Sequence, residues 1–595
     1  MNSQKTKTAE LLTKLLLAPQ TLHEQEELLG ALFTPAERKT LCERANIVEL
    51  LFEGKTHRDI AKETGASLAT IARGSREMKY GNGVFQKFYE RILRKHTCGN
   101  MAVFETRQNI PVEDAIDAFE RIRTVGDPSF CFESRSLNSL YGRMSILGID
   151  PPLEIYGKGN IVRLTARTPR GIRFLESFRH SGIVESADEI LQNTTDILEM
   201  RIEKDGAFCP EDLRTRRKNI TVTLRKFLEH FHCKTSGMFG IYGAFSYDFA
   251  RLFENLPEHL PENDIPDFHF FLFDTFVRFD LLKNESELIL FRESREEAEK
   301  DISLLSHKVQ KKHSVSPQTF STDAISADVS AEEYEQQVEK ARELARQGEL
   351  FEIVFSREFS GKFSGDPLAL YKIYREKNPA PYLFFFDFGK DQLVGASPEM
   401  MVRVENRKVH LRPISGTRPR GKDPVSDHEN MLELLSSEKE RAELDMLIDL
   451  GRNDLKRVCT SGIEMTSYRH VEKYSRVMHT IAHLTGNLRN DRDALDALIA
   501  CQSAGTLTGA PKVQAMIEIE KTETSRRGFY GGSIGYLTFS GDMDTGIIIR
   551  STHIHENHFT FRAGATLLYS SIPKEESKEV ENKAKALLEI LKGES

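Results

Sequence analysis

The hydrophobic pattern of this chain changes period once, near Cys98-Gly99-Asn100, and that change restricts the fold more than any other feature. Before it, residues 5–96 read as helix: apolar residues recur at helical spacing in Leu11, Leu12, Leu15 and Leu16, and again in Ile47, Val48, Leu50 and Leu51. Thr34-Pro35-Ala36-Glu37 has the form of a helix start, with Thr as N-cap, Pro first and Glu three residues after the cap; Gly54 has the form of its stop. From Met101 onward short strand-like runs alternate with helices. Ile161–Leu164, Phe268–Phe273 and Leu288–Leu290 read as strands, Ala331–Gln347 as a helix, then Leu350–Phe359, Tyr382–Phe388 and Lys408–Pro413 as strands. A Gly-rich strand region spans Gly528–Tyr569, and a last helix runs from about Glu576 to Leu591. The expectation is a multidomain chain: an all-α domain over 1–96, then a large α+β body whose polar connection at 311–328 divides 97–325 from 326–595.

Charge follows the same division. Residues 1–96 carry 16 Lys and Arg against 12 Asp and Glu, a net +4; the remainder carries 66 against 78, a net −12. A basic head on an acidic body suits a nucleic-acid-binding module joined to an enzyme, and chance surface charge gives the same totals. The seven cysteines form no CxxC pair, which argues against a disulfide framework or a zinc site built on cysteine. No apolar run reaches the ~18 residues of a membrane span, and Met1–Lys14 lacks an apolar signal core, so the expected location is cytoplasmic, with no membrane partner. Tryptophan is absent from all 595 residues although Phe (37) and Tyr (15) are plentiful, as suits a protein made when tryptophan is scarce.

Within the head, Thr56–Lys79 has small Ala61, then Gly65, then apolar Ile71. This is the spacing of a helix-turn-helix: a small residue where two helices approach, Gly for the positive φ of the turn, and an apolar residue closing the angle. A plain helical hairpin satisfies it too. If the second helix enters a major groove by its N-terminal end, Leu68, Ala69 and Thr70 meet base edges, and Arg58 and Lys79 are among the cations that reach phosphates.

In the body, five pieces carry chemistry. Arg412–Gly421 is a strand running into a Gly/Pro-constrained loop with hydroxyls and cations, suited to an anion. Ser436–Asp454 places Glu440 and Glu443 on one helix face, and Glu576 and Glu579 are likewise one turn apart, with Asn582-Lys583 following. Two such pairs suit a hard cation such as Mg²⁺, although glutamate-rich helix faces are often merely solvated. Arg476–His479 and Gly505–Lys512 complete the set.

Two resemblances join these pieces. FTPAERKTLCERANIVELLFEG with ASLATIARGSREMK resembles the Trp repressor family across most of residues 20–95. That resemblance implies a tryptophan pocket formed by Thr34, Arg44, Arg73 and Gly74, in which the two arginines sandwich the indole and one also pairs with the carboxylate. It also implies an intertwined homodimer, operator DNA as partner, and tryptophan as corepressor. The segment between Gly54 and Gly65 is one residue short of the pattern, and Glu77 replaces a pocket serine. PISGTRPRG, LIDLGRNDL, GTLTGAPK, RRGFYGGSIGY and IIIRS together resemble the chorismate-utilising enzyme family over roughly 100–595. This implies two β-sheets covered by helices, with Glu443 and Glu579 as direct Mg²⁺ ligands and Glu440 and Glu576 acting through water. It further implies chorismate contacts from Gly416, Thr417, Thr506, Tyr530, Arg550, Gly564 and Lys583, Glu399 as acid for the departing C4 hydroxyl, and His479 at the proton removed during pyruvate elimination.

Within that family Ser415 stands where aminodeoxychorismate synthases carry a nucleophilic lysine, and acidic Glu352 where isochorismate and salicylate synthases carry a lysine base. The anthranilate synthase type is the reading left; the runners-up are those two synthases and a tryptophan-sensing repressor with a degenerate enzyme domain. Thr566 and Ser570 also depart from the family, which has glycine and commonly aspartate there. Glu133-Ser134 and Asn378–Phe384 resemble the two walls of a tryptophan feedback site, giving Ser134, Pro381, Tyr382 and Leu383 as its residues, although Cys131 and Phe132 depart from the usual leucines. No segment resembles a glutamine amidotransferase, so ammonia is expected from a separate subunit or from solution.

Overall fold

The computed structural model describes residues 28–52, 55–80, 95–112, 114–135, 144–206, 210–233, 237–311, 319–474 and 477–593. The chain forms two compact units, Met1–Lys95 and His96–Ser595. Gly54 and the apolar positions Leu11–Leu16 lie outside the described residues.

In the first unit three helices, α1 (Pro35–Phe52), α2 (His57–Thr64) and α3 (Leu68–Tyr80), close on Ile47, Leu50, Ile60 and Ile71. Each start has a local cause. The Thr34 N–H and hydroxyl donate to Glu37 at 2.9 and 2.8 Å, and the Glu37 N–H donates back to Thr34 Oγ1 at 3.4 Å, a reciprocal cap. Thr56 Oγ1 accepts from the Asp59 N–H, and Ser67 Oγ from the Thr70 N–H. Between them Gly65 takes φ 70°, which lets its N–H reach the Ala61 carbonyl at 3.0 Å and turns the chain into α3. Gly74 packs where an added Cβ would meet Ile47 and Leu51 at 3.4 and 3.5 Å. The helical pattern does not reach residue 96. Lys95–Cys98 is a strand, because Gly99-Asn100 is a hairpin turn into Met101–Asn109 and not a boundary.

The second unit is built on two antiparallel sheets, of 14 and 13 strands among the described residues. The elements that carry the site are β1 (Ser129–Glu133), β2 (Glu352–Gly365), β3 (Tyr382–Asp387), β4 (Asp391–Ser397), β5 (Ile414–Pro419), β6 (Val477–Asn487), β7 (Ser551–His555) and β8 (His558–Leu568). With them go helices α4 (Glu438–Val458) and α5 (Pro573–Leu591). In the larger sheet β1, β3, β4, β7, β8 and β2 lie side by side; β5 and β6 form one end of the other. Both sheets take strands from either side of residue 325, so the polar connection there does not divide this unit. The sheets meet through phenylalanine and tyrosine: Phe130 stacks on Tyr242 with ring centroids 4.6 Å apart and meets Phe273 edge-on at 4.8 Å. Phe268–Phe273 is buried along its whole length, as a strand covered on both faces must be. On the far side of the larger sheet, helices bring Phe119, Tyr334, Tyr371 and Val580 into a second core. Among the described residues no helix is long and apolar enough to cross a membrane.

Among the connections that pass between the sheets, two carry the site. The chain leaves β4 at Ser397 and enters the other sheet at Met400; it leaves that sheet at Ile547 and returns in β7 at Ser551. The Ile547 N–H donates to the Glu399 carbonyl at 3.0 Å, and the Ala396 N–H to the Arg550 carbonyl at 3.1 Å. Glu399 and Arg550 are therefore presented together on paired crossings, with Arg550 held at φ 49°, a left-handed conformation that a non-glycine residue adopts only when its surroundings impose it.

Candidate active site

Around those crossings the side chains singled out in sequence converge. Thr506 Oγ1 donates to Glu399 Oε1 at 3.0 Å. Burial pushes the Glu399 carboxyl up to about 7, against the lowering effect of Thr506, Lys583 and Arg550. On β6, His479 Nδ1 donates to the Gly416 carbonyl at 2.9 Å and lies 3.1 Å from Thr417 Oγ1. A carbonyl only accepts, so this bond fixes the proton on Nδ1 and leaves the lone pair on Nε2, which is buried with no partner among the described residues. Burial pushes the imidazole down to about 4, opposed by the Gly416 carbonyl and assisted by the charges of Arg550 and Lys583. The site thus holds a carboxyl that is largely protonated below neutrality and an imidazole that is neutral there, a division of labour between acid and base.

Next to them α4 and α5 present the paired glutamates. Glu443 accepts from Ser415 Oγ at 3.3 Å, and burial raises its pKa, followed by the charges of Glu440 and, more weakly, Glu579. Glu576 is raised by burial and by Glu579, and is held by Ser571 Oγ at 2.7 Å. Gly416 takes φ 73°, and a Cβ there would lie 2.8 Å from Glu440 Oε2, so only glycine admits that carboxylate beside the loop. Carboxylates from two helices, with the Glu579 charge adding to the rise of both Glu443 and Glu576, are an oxygen donor set suited to a hard cation that keeps part of its water shell. Glu352, at the start of β2, joins them: burial and then the Glu443 charge push it up to about 8, and its Oε1 has no partner among the described residues.

The remaining chemistry-bearing residues frame the same region. Lys583 Nζ lies 2.8 Å from Glu579 and donates to the Gly564 carbonyl at 2.9 Å. Gly564 sits where a Cβ would strike the Phe355 carbonyl at 2.5 Å. Thr566, two residues on in β8, shares the face of Gly564. Tyr530 is buried, with the Arg527 guanidinium 5.7 Å above its ring. Sequence reasoning did not anticipate the pairs that tie the motifs together. Asp454 accepts from Lys512 at 2.6 Å, joining the end of α4 to the Gly505–Lys512 segment. Asp427 accepts from Arg420 and Lys473, both at 2.7 Å, and Arg412 pairs with Glu472. The only signal was a charge inside each motif. Arg476 lies outside the described residues.

A cavity of about 450 Å³ opens on the other side of these elements. Ser134, Pro381, Tyr382 and Leu383 line it together, as the two separated segments had suggested, with Arg403, Asp544 and Tyr536. Tyr382 donates to Asp544 at 2.8 Å. The Ser134 hydroxyl is buried without a partner among the described residues. The wall also includes Pro398 and Met400, which flank Glu399, and Arg412 and Ile414, which lead into Gly416.

In the first unit Thr34, Arg44, Arg58, Leu68, Ala69, Thr70 and Arg73 are exposed, and Gly74 is half-buried between α3 and α1. Lys79 and Glu77 lie on α3, with side chains outside the described set.

Comparison with known proteins agrees with both units. Residues 183–589 match the family model of the chorismate binding enzyme, and residues 7–93 that of the Trp repressor protein. Anthranilate synthase component 1 of Serratia marcescens is 34% identical over 501 residues, 80% of this chain and 95% of its own length. That of Escherichia coli (strain K12) is 34% identical over 481 residues, 77% and 91%. The crystal structure of anthranilate synthase component I from Streptococcus pneumoniae TIGR4 aligns with TM-score 0.58 at 31% identity, covering 79% of this chain and 96% of that one. The menaquinone-specific isochorismate synthase MenF of Escherichia coli aligns at 0.59 but is 16% identical, a likeness of fold alone. The chain belongs to the chorismate binding enzyme family: it is a chorismate-utilising enzyme preceded by a Trp repressor-like helical region.

Proposed function

We propose that this chain is the large subunit of an anthranilate synthase, converting chorismate and ammonia to anthranilate, pyruvate and water, and that its N-terminal unit is a tryptophan-responsive DNA-binding module. The observation that carries the enzyme reading is the acid–base division at one site: Thr506-bonded Glu399 and His479, whose Nε2 has no partner among the described residues, both lie within the field of Arg550 and Lys583. Protonated Glu399 delivers a proton to the C4 hydroxyl as it leaves, and ammonia adds to the ring. His479 Nε2 then takes the ring proton as pyruvate departs and the ring becomes aromatic. Arg550 grips a substrate carboxylate with its planar fork. Mg²⁺ held by Glu443 and Glu579, with Glu440 and Glu576 through water, would neutralise the ring carboxylate. Ser415 supplies no amine nucleophile and Glu352 no cationic base, which disfavours the aminodeoxychorismate and isochorismate routes. Ammonia comes from a separate glutamine amidotransferase subunit, and tryptophan inhibits by filling the cavity at Ser134 and Tyr382.

Incubation with chorismate, ammonium and Mg²⁺ tests the reading: anthranilate and pyruvate are expected in equal amounts, and isochorismate, salicylate or aminodeoxychorismate as product would overturn it. The pH profile is a further prediction. Glu399 must carry its proton and titrates near 7, so kcat/KM, measured at constant unprotonated ammonia, falls as pH rises through about 7. Glu399→Gln removes that limb and lowers the rate by about 10²–10⁴.

For the N-terminal unit, exposed Leu68, Ala69 and Thr70 at the start of α3, with Arg58 on α2, support groove entry. Arg44 and Arg73 are exposed on the single chain, so an enclosed tryptophan pocket calls for a second copy, as in a homodimer. A mobility shift at stated low salt should appear on adding tryptophan, and Arg58→Ala should weaken it evenly across sequences and flatten the salt slope by about one phosphate contact. Absence of any shift would leave this unit without a DNA role and the enzyme untouched.

A further inference from the structure

A cluster of side chains of metal-ligating type lies on the larger sheet, at the opposite ends of the strands that lead to Glu399 and Arg550. Asp391 opens β4, and directly across from it on β7 stands His555, with His553 two residues back on the same face. Across the β7–β8 hairpin, His555 is paired with His558, so Asp391, His555 and His558 form one row over three strands. His555 Nδ1 and His553 Nε2 lie 2.7 and 2.8 Å from the same oxygen of Asp391. Among the described residues, Asp391, His553 and His555 are the one group of three His, Cys, Asp or Glu side chains whose donor atoms all fall within 4.8 Å of one another.

We propose that Asp391, His553 and His555 bind a divalent transition-metal ion of the zinc class, at a site separate from the glutamates of the catalytic region. Two imidazoles and one carboxylate favour zinc, cobalt or nickel over magnesium, which seeks oxygen. Ligand atoms about 2.0–2.1 Å from a tetrahedral ion stand about 3.4 Å apart. The present contacts therefore open by about 0.6–0.7 Å on binding, a small motion for an exposed His555. His553 is steadied by the edge-on ring of Phe529 at 5.3 Å. The row leaves His558 or water to complete the shell. A bound ion ties β4 to β7, the two strands whose far ends present Glu399 and Arg550, and so stabilises the frame of the active site.

The test uses the full chain, free of any histidine tag, stripped with chelator and kept in excess Mg²⁺. Zinc titrated by calorimetry should give a single-site isotherm and raise Tm, and cobalt should give the visible bands of a nitrogen-containing, low-coordinate site. His553→Ala with His555→Ala should weaken zinc binding by about 100-fold or more and remove the Tm rise, with chorismate turnover in Mg²⁺ unchanged. His555→Ala alone, at an exposed position that folding does not need, should weaken binding by about tenfold or more. Glu443→Gln should bind zinc as the parent does. Parent protein without a zinc-dependent Tm rise, or a double variant that binds zinc like the parent, or loss of zinc binding in Glu443→Gln, overturns the assignment.

Discussion

Glu443→Ala should abolish Mg²⁺-dependent chorismate turnover while leaving the fold in place. Glu443 is partly exposed on α4 while its neighbours Leu444, Leu447 and Ile448 are buried; among the described residues its carboxylate accepts the Ser415 hydroxyl at 3.3 Å and has Lys439 at 3.9 Å. It is half-shielded from water and surrounded by the like charges of Glu440 and Glu579. Removing it takes one buried charge out of a repulsive group, so the metal-free variant should melt no lower than the parent. The cost falls on catalysis. A cation that polarises an anionic substrate supplies several kcal/mol to the transition state, so kcat/KM should drop by about a thousandfold, with no rescue by added Mg²⁺. Glu440→Gln, at a carboxylate proposed to act through water, should cost about 10–100-fold and be partly rescued at high Mg²⁺. Retention of activity within tenfold in Glu443→Ala would remove the cation from this helix, and the acid–base pair would then need another explanation.

What the sequence made legible is what local chemistry encodes. The Ala61–Gly65–Ile71 spacing carries its own geometry, since Gly65 is where φ must turn positive and Ile71 is where the angle must be filled. Phe268–Phe273 announced a strand buried on both faces, and the pairs Glu440/Glu443 and Glu576/Glu579 followed from the helical repeat alone. What stayed hidden depends on which distant segments pair. Glu399 and Arg550 are 151 positions apart and meet because the Ile547 N–H donates to the Glu399 carbonyl and the Ala396 N–H to the Arg550 carbonyl across two sheet crossings, a register that no periodicity records. The anchors Asp454–Lys512 and Arg412–Glu472 are of the same kind, as are the Arg403, Tyr536 and Asp544 contributions to the cavity. The histidines at 553 and 555 were visible as letters, but became a chelating pair only when Asp391 was placed opposite them. Lys95 and His96 fall inside the helical reading of 5–96 but open the strand Lys95–Cys98, because four residues are too few to show a period of two.

Ser134→Leu should make the enzyme resistant to tryptophan without slowing it. Ser134 lines the cavity of about 450 Å³, and its buried hydroxyl has no partner among the described residues, so a polar group on a ligand has a bond to make there. Leucine removes that hydroxyl and adds bulk. The lost bond costs about 1–3 kcal/mol and the crowding a similar amount, together a rise of about 100-fold or more in the concentration of tryptophan that halves activity. Turnover without tryptophan should be unchanged, because among the described residues the Ser134 hydroxyl bonds none of Glu399, His479 or the paired glutamates. The route from cavity to chemistry is short: Pro398 and Met400 are in the wall while Glu399 between them bonds Thr506, and Ile414 is in the wall while Gly416 accepts from His479. A ligand that shifts either segment moves a catalytic group it never contacts, provided it prefers one arrangement of the wall over the other. Tyr382→Phe keeps the volume and loses only the bond to Asp544, so it should raise the inhibitory concentration by about tenfold at most. If Ser134→Leu remained as sensitive as the parent, tryptophan would not act through this cavity, and any inhibition observed would have to originate in the N-terminal unit. Removing that unit's Arg73 would then relieve it.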